Sequence, residues 1–243
     1  MRHFLSAVRF LTVLTIGPKD SDLFEPAQML PWFPLVGLLI GTLLALVDRT
    51  ALWLWPKPVA ALLDLLFLVW VTGALHLDGL GDTADGLYGN RPRDKALAIM
   101  KDSRMGAMGV VAIFFALAAK WGALGAIAPG RLLVLICVPA LARGAQVLAM
   151  GYLPYGRSEG LGSQFCAAPL SLRAHGALLI PMGLLLFLGM RGLCLLAVYA
   201  GICFAVIRFY KSRMGCITGD MIGALSEVCE AGLLLAAAAG GSF

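Results

Sequence analysis

Charge is scarce in this sequence: only 14% of its 243 residues are charged, against 60% hydrophobic, and just fourteen are acidic. A soluble domain carries about a quarter charged residues, so a water-soluble globule is excluded and the chain reads as a membrane protein. Histidine is scarcer still, with three residues. The six cysteines (Cys137, Cys166, Cys194, Cys203, Cys216 and Cys229) form no Cys-x-x-Cys pair and have no histidine at metal spacing. That excludes zinc-ribbon and dithiol chemistry and leaves the thiols as small apolar residues. Internal repeats are absent, and no small-residue cleavage site follows the amino-terminal apolar run, which Arg9 interrupts, so a signal peptide is excluded. Too little polar sequence remains for a soluble second domain, and residues 1–243 read as one integral-membrane unit.

What is present is a series of apolar runs of spanning length. They predict an all-α, polytopic transmembrane bundle of about seven spans: 32–47 (continuing toward 55), 59 to the end of the next apolar run near 76, 106–127, 132–152, 174–190, 192–209 and 220–240. The fifth and sixth are separated only at Arg191. Ahead of them, Phe4, Val8, Leu11 and Thr15 recur at helical spacing, which predicts a short amphipathic helix on the membrane surface. Trp32, Trp53 and Trp55 are expected at the two interfaces. Of the nineteen basic residues, Lys120 and Arg143 fall inside spans and only Arg49, Lys57, Arg131 and Arg191 fall opposite the amino terminus. The others, among them Arg2, Arg9, Lys19, Arg91, Arg157, Arg173 and Arg213, gather on the amino-terminal side. By the positive-inside rule that side is cytoplasmic, and every polar motif lies on it.

Because carboxylates are few, their clustering is informative. His76 to Gly86 reads His-Leu-Asp-Gly-Leu-Gly-Asp-Thr-Ala-Asp-Gly, with Asp78, Asp82 and Asp85 at offsets zero, four and seven. On a continuous helix they fall within an arc of about 60°. Like charges that close need cations among them, and hard Mg²⁺ or Mn²⁺ suits oxygen donors. The small neighbours Gly79, Gly81, Ala84 and Gly86 let a bulky ligand approach the backbone. His76 points away from the carboxylate face and is expected behind the ligands rather than among them. In Met-Lys-Asp-Ser-Arg-Met-Gly, residues 100–106, Asp102 completes the carboxylate set or serves as a base, Lys101 and Arg104 suit phosphate oxygens, and Ser103 caps a helix. Arg157 lies in a second polar loop. Asp220, Glu227 and Glu230 share a face near the start of the last span, with Glu230 the deepest and expected as a buried acid. Arg143 is expected at a site or in a buried pair, while Lys120 either snorkels or faces a partner. Carboxylates, divalent metal, Arg and Lys together suit reactions at a diphosphate.

At these residues the sequence closely resembles the cobalamin synthase family, the adenosylcobinamide-GDP ribazoletransferases. The resemblance rests on the blocks at 76–87 and 100–106. It is supported by Phe-Leu-Thr at 10–12, Phe-Pro-Leu-Val-Gly at 33–37, Leu-Pro-Tyr-Gly-Arg with Gly-Leu-Gly at 153–162, and Gly-Asp-Met-Ile-Gly-Ala with Glu227 at 219–227. Val13 stands where a basic residue is expected. The resemblance implies a Mg²⁺-dependent enzyme of the bacterial-type inner membrane. In the implied reaction a ribose hydroxyl of α-ribazole, or of its 5′-phosphate, attacks the corrinoid-bound phosphorus of adenosylcobinamide-GDP and GMP leaves. It implies Asp78, Asp82, Asp85 and Asp102 as metal ligands, and Asp82, Asp85 and Asp102 as the catalytic carboxylates. Lys101, Arg104 and Arg157 are implied at phosphates, with Asp220, Glu227, Arg143 and His76 as further candidates. The partners are then small molecules and the bilayer, not nucleic acid, and self-association stays open.

Two other readings have distinct signatures. A CDP-alcohol phosphotransferase shares Asp-x-x-Asp-Gly at 82–86, but Gly89 and Asn90 break its continuation and no Asp-x-x-x-Asp follows. A transporter would use Asp64, Lys120 and Arg143 as a midplane pathway and should show inverted repeats.

Overall fold

The computed structural model describes residues 2–16, 25–157, 161–166 and 172–239. Lys19 and the loop residues 158–160 lie outside them. Regular structure among the described residues is helical, apart from one parallel bridge between Tyr155 and Ile217. In order the helices are α1 (Arg2–Leu11), α2 (Pro26–Met29), α3 (Phe33–Leu54), α4 (Lys57–Val71), α5 (Leu75–Leu87), α6 (Arg93–Lys101), α7 (Ala107–Ala126), α8 (Arg131–Tyr152), α9 (Leu161–Cys166), α10 (Leu172–Leu186), α11 (Met190–Arg213) and α12 (Gly219–Ala238).

Five helical units are long and apolar enough to cross a membrane: Pro26–Leu54, α7, α8, α11 and α12. The pair α4 and α5 makes a sixth when counted together, bent by 85°, and α10 contributes a shorter apolar helix over Gly176–Leu186. The chain is thus a multi-pass helical membrane protein. Each of the seven apolar runs is a helix, but by length and composition the spans number five or six. The break between α4 and α5 has a local cause. Gly73 and Ala74 both take left-handed φ, 58° and 57°, a conformation that glycine adopts freely and alanine only at a cost. The expected division at Arg191 lies earlier, at a turn over Phe187–Gly189 with Gly189 at φ 60°. Arg191 instead sits in the first turn of α11 and donates to the carbonyls of Pro129, at 2.5 Å, and Ala237.

Two helices form the axis of the bundle. Within the apolar windows 78% of α8 and 67% of α12 are buried, against 22% for α7 and α11, so α7 and α11 turn large side chains such as Phe114, Phe115 and Phe204 outward. The apposition of α3 and α8 depends on Gly37 and Gly41, one turn apart. A Cβ at Gly37 would stand 2.4 Å from Ala140 Cα, and one at Gly41 2.3 Å from the Ile136 carbonyl; such small-residue contacts take the place of hydrophobic driving force between spans.

The amphipathic α1 lays its apolar face against the protein. Ala7, Val8 and Leu11 are buried, the Phe10 ring lies 6.0 Å from Phe33 and 5.0 Å from Phe165, and Phe4 packs on Trp32 at 5.5 Å. Trp32 is therefore taken into this contact, while Trp53 and Trp55 are exposed as an interfacial position requires.

Candidate active site

The site lies where α5 crosses the start of α12. The crossing is close because its contact residues are glycines: a Cβ at Gly79 would stand 2.8 Å from the Asp220 carbonyl, and one at Gly223 3.3 Å from His76 Cα. Asp78 and Asp82 on α5 are thereby brought toward Asp220 on α12. Asp78, Asp220 and Asp85 all act on Asp82 through their charges, and the cation among them is Arg157. Asp78 is exposed and Asp82 half-buried.

Each remaining carboxylate has its own setting. Asp85 accepts hydrogen bonds from the backbone N–H of Gly106, at 2.6 Å, and Gly109, at 2.9 Å, so it caps the N-terminus of α7, where a negative charge is favoured. Asp220 accepts from Arg157 at 2.6 Å and from the Thr218 hydroxyl at 3.4 Å; Thr218 in turn caps α12 by accepting from Met221 N. Arg157 is carried by a loop pinned to the approach to α12, with Gly156 N–H donating to Ile217 O at 2.8 Å and Ile217 N–H to Pro154 O at 2.9 Å. Asp102 terminates α6, and Arg104 grips both of its oxygens, the closest at 2.6 Å. These hydrogen bonds hold the Asp102 carboxyl below the usual carboxylate range. Lys101 and Arg104 are exposed.

The expected four-carboxylate set is thus distributed rather than closed: three members share α5, Asp102 is engaged locally, and Asp220 approaches from the other side. Among the described residues no group of three or more His, Cys, Asp or Glu side chains converges closely enough to hold a metal ion by itself.

Beside the carboxylates is a cavity of about 300 Å³. Its wall combines Asp78, Asp220 and Arg157 with the rings of Phe10, Phe33 and Phe165 and with His76 and Gln146. His76 is buried and lies 2.9 Å, Nε2 to Nε2, from Gln146 on α8. His76 therefore sits at the cavity, behind the carboxylates. Gln146 and Phe165 were not singled out from the sequence, and Phe10 and Phe33 entered only as members of the blocks at 10–12 and 33–37 that support the resemblance. For Gln146 a signal existed, an amide within an apolar span and three residues beyond Arg143.

Glu227 and Arg143 occupy a different place. Lys120 donates to Glu227 at 2.7 Å and to Glu230 at 2.6 Å, and Arg143 donates to the other oxygen of Glu230. All four side chains are buried, and they form a charge-balanced network joining α7, α8 and α12, with Lys120, Arg143 and Glu230 in electrostatic reach of His76. Asp64 belongs to another cluster, accepting from Arg131 at 3.0 Å while Asp48 accepts from the same guanidinium at 2.6 Å. That separation leaves Asp64, Lys120 and Arg143 in two ion clusters and not in one line.

The model of the family described as Cobalamin-5-phosphate synthase matches residues 3–238. A protein of Syntrophobacter fumaroxidans named adenosylcobinamide-GDP ribazoletransferase is 40% identical, with 97% of this chain and 98% of that protein covered. A protein of the same name from Geotalea daltonii is 39% identical over 95% and 94% of the two chains, and one from Desulforamulus reducens 38% over 92% and 91%. No solved structure matches. The matched residues include α5, the α6–α7 turn, the Arg157 loop and α12, and the chain belongs to the cobalamin-5-phosphate synthase family.

Proposed function

We propose that the crossing of α5 and α12 is where this chain, an adenosylcobinamide-GDP ribazoletransferase, transfers its substituted phosphate. One observation carries the reading: four carboxylates, Asp78, Asp82, Asp85 and Asp220, lie in electrostatic reach of one another with Arg157 paired to Asp220 and the Arg91 guanidinium donating to the Asp85 carbonyl at 3.1 Å, beside a cavity of small-molecule size. A surplus of oxygen donors fits Mg²⁺, with Mn²⁺ as a substitute. Mg²⁺ is usually held by one or two carboxylates together with substrate phosphates, so an open donor set agrees with an ion that arrives with the diphosphate. Asp78 and Asp85, with Asp220 opposite, would hold it, leaving Asp82 for proton transfer; when bound, it neutralises charge on the diphosphate oxygens.

The chain's own residues then have separable tasks. Arg157 offers a planar guanidinium to phosphate oxygens, which compete with Asp220 for it. Lys101 and Arg104 extend the basic rim beside the start of α7. Asp85 is fixed by two backbone donors and Asp102 by Arg104, whereas Asp78 and Asp82 accept no hydrogen bond from a described residue. Of these two, Asp82 is the one set among the other carboxylates, and we assign it to take the proton of the attacking ribose hydroxyl. The new bond joins the hydroxyl oxygen of α-ribazole, or of its 5′-phosphate, to the corrinoid-bound phosphorus, and the bond from that phosphorus to GMP breaks. Arg91, Arg157 and Arg213 stand at the site end of the bundle, where Arg213 donates to the Arg91 carbonyl at 2.6 Å, and Arg131 and Arg191 at the far end. By the positive-inside rule this distribution supports a site on the cytoplasmic side of the inner membrane.

Purified full-length protein in detergent should release GMP only when Mg²⁺, α-ribazole and adenosylcobinamide-GDP are all present, and Asp82→Asn should reduce the rate at least a hundredfold. Full activity in Asp82→Asn would overturn the assignment.

A further inference from the structure

The cavity has two kinds of wall. Asp78, Asp220 and Arg157 form a charged cluster at the α5–α12 crossing, whereas Phe10, Phe33 and Phe165 form a mutually packed aromatic group, with ring centroids 5.0, 5.6 and 6.0 Å apart. Met150 adds to the apolar side. His76 and Gln146, each almost fully buried, also line the cavity. Their mutual contact uses one nitrogen of each, leaving His76 Nδ1 and Gln146 Oε1 without a partner among the described residues. Whichever tautomer and amide orientation hold, the pair keeps one unused donor and one unused acceptor. Buried polar atoms without partners are uncommon, and each calls for an explanation, a missing ligand or water among them.

Of the reactants in the proposed transfer, only some can enter. At about 300 Å³ the cavity lies at the lower end of small-molecule sites, enough for one base and its sugar and too small for a corrin ring with its side chains. Between the two nucleosides the lining discriminates. Guanine carries several donors and acceptors around its edge, more than the one donor and one acceptor of the His76–Gln146 pair can meet, and burying the rest against phenylalanine is strongly disfavoured. A benzimidazole-type base presents mainly ring faces and C–H edges, which aromatic walls accept.

We propose that this cavity seats the acceptor nucleoside, its weakly polar aromatic base among Phe10, Phe33 and Phe165 and its ribose toward Asp78, with His76 and Gln146 supplying a donor and an acceptor to the sugar or base. This rests on the transfer reaction proposed above. It also gives the apolar face of α1 a task, since Phe10 and Leu11 close one side of the cavity.

Equilibrium dialysis of the full-length protein in detergent against labelled α-ribazole tests the inference without turnover. Saturable binding is expected, with guanosine displacing the label at least tenfold less effectively than unlabelled α-ribazole. Phe165→Ala should weaken α-ribazole binding at least tenfold and raise its KM to match, leaving the KM for adenosylcobinamide-GDP within about twofold; Phe33→Leu provides the same comparison if the first variant does not fold. Equal displacement by guanosine, or a change confined to the KM of adenosylcobinamide-GDP, would overturn it. Binding as expected with no GMP release would remove the reaction and leave the nucleoside site standing. GMP release together with α-ribazole binding that neither variant alters would do the reverse.

Discussion

Asp85 is held at both oxygens by the first N–H groups of α7. That arrangement needs glycine on the other side. A Cβ at Gly109 would stand 2.5 Å from Asp85 Oδ2 and 3.0 Å from the Gly81 carbonyl. Gly109→Ala is therefore expected to push the carboxylate off the helix end and cut GMP release at least tenfold while the purified protein stays folded, a result that activity and thermal melting measure together. Asp102 is the contrasting case. Its exposed carboxyl is held below the usual range by Arg104, so it remains ionised through the neutral region and is a poor proton acceptor. Asp102→Asn should leave the acidic limb of the rate–pH profile where it is in the wild type; a shifted limb would make Asp102 the base after all. The residues themselves explain what was legible. Asp78, Asp82 and Asp85 stood out because carboxylates are rare in an apolar chain and these share a face. Phe165 carried no such mark, and Phe10 entered only as part of the block at 10–12, since an aromatic residue in apolar sequence does not reveal whether it faces lipid, core or cavity.

The helices were readable as apolar runs, but not their bends or their contacts. Gly73 hinted at the end of α4, yet nothing in the identity of Ala74 announces a left-handed residue, and so the 85° turn that lays α5 across the start of α12 was not foreseen. The α1 helix was visible in its periodicity, while its partner was not: an apolar helical face fits a membrane surface or a protein surface equally well. The contact between α3 and α8 is the clearest place to test packing between elements. At Gly41 the facing groups are the Leu135 and Ile136 carbonyls, 2.6 and 2.3 Å from a Cβ. Pro139, inside α8, removes the N–H that would otherwise serve the Leu135 carbonyl. Gly41→Leu cannot be absorbed by a side-chain rotation, because backbone is in the way, and overpacking of this sort costs about 1–3 kcal/mol or more. A clear fall in the detergent melting temperature is expected, and an unchanged one would show that α3 and α8 can separate without loss.

Across the whole molecule, three of the helices that deliver parts of the site are tied together at depth. The start of α7 binds Asp85, α8 carries Gln146 toward its end, and Asp220 opens α12; Lys120, Arg143, Glu227 and Glu230 join these same helices through buried ion pairs. Two cations and two carboxylates leave the network neutral, which is what its burial requires. Such a network is weak evidence for stability in itself, since well-packed apolar residues can replace a buried pair at little or no cost. Its imbalance is another matter: removing one member strands a charge, typically at about 3–5 kcal/mol. Lys120→Met alone should therefore lower folded yield and melting temperature and, by loosening α7 against α12, reduce GMP release as well. Lys120→Met combined with Glu227→Gln restores neutrality and should recover most of the lost stability. If the double variant is as unstable as the sum of the two single changes, the network stabilises through individual contacts rather than through charge balance. If stability recovers without activity, the ion pairs also set the angle at which α12 presents Asp220 to α5.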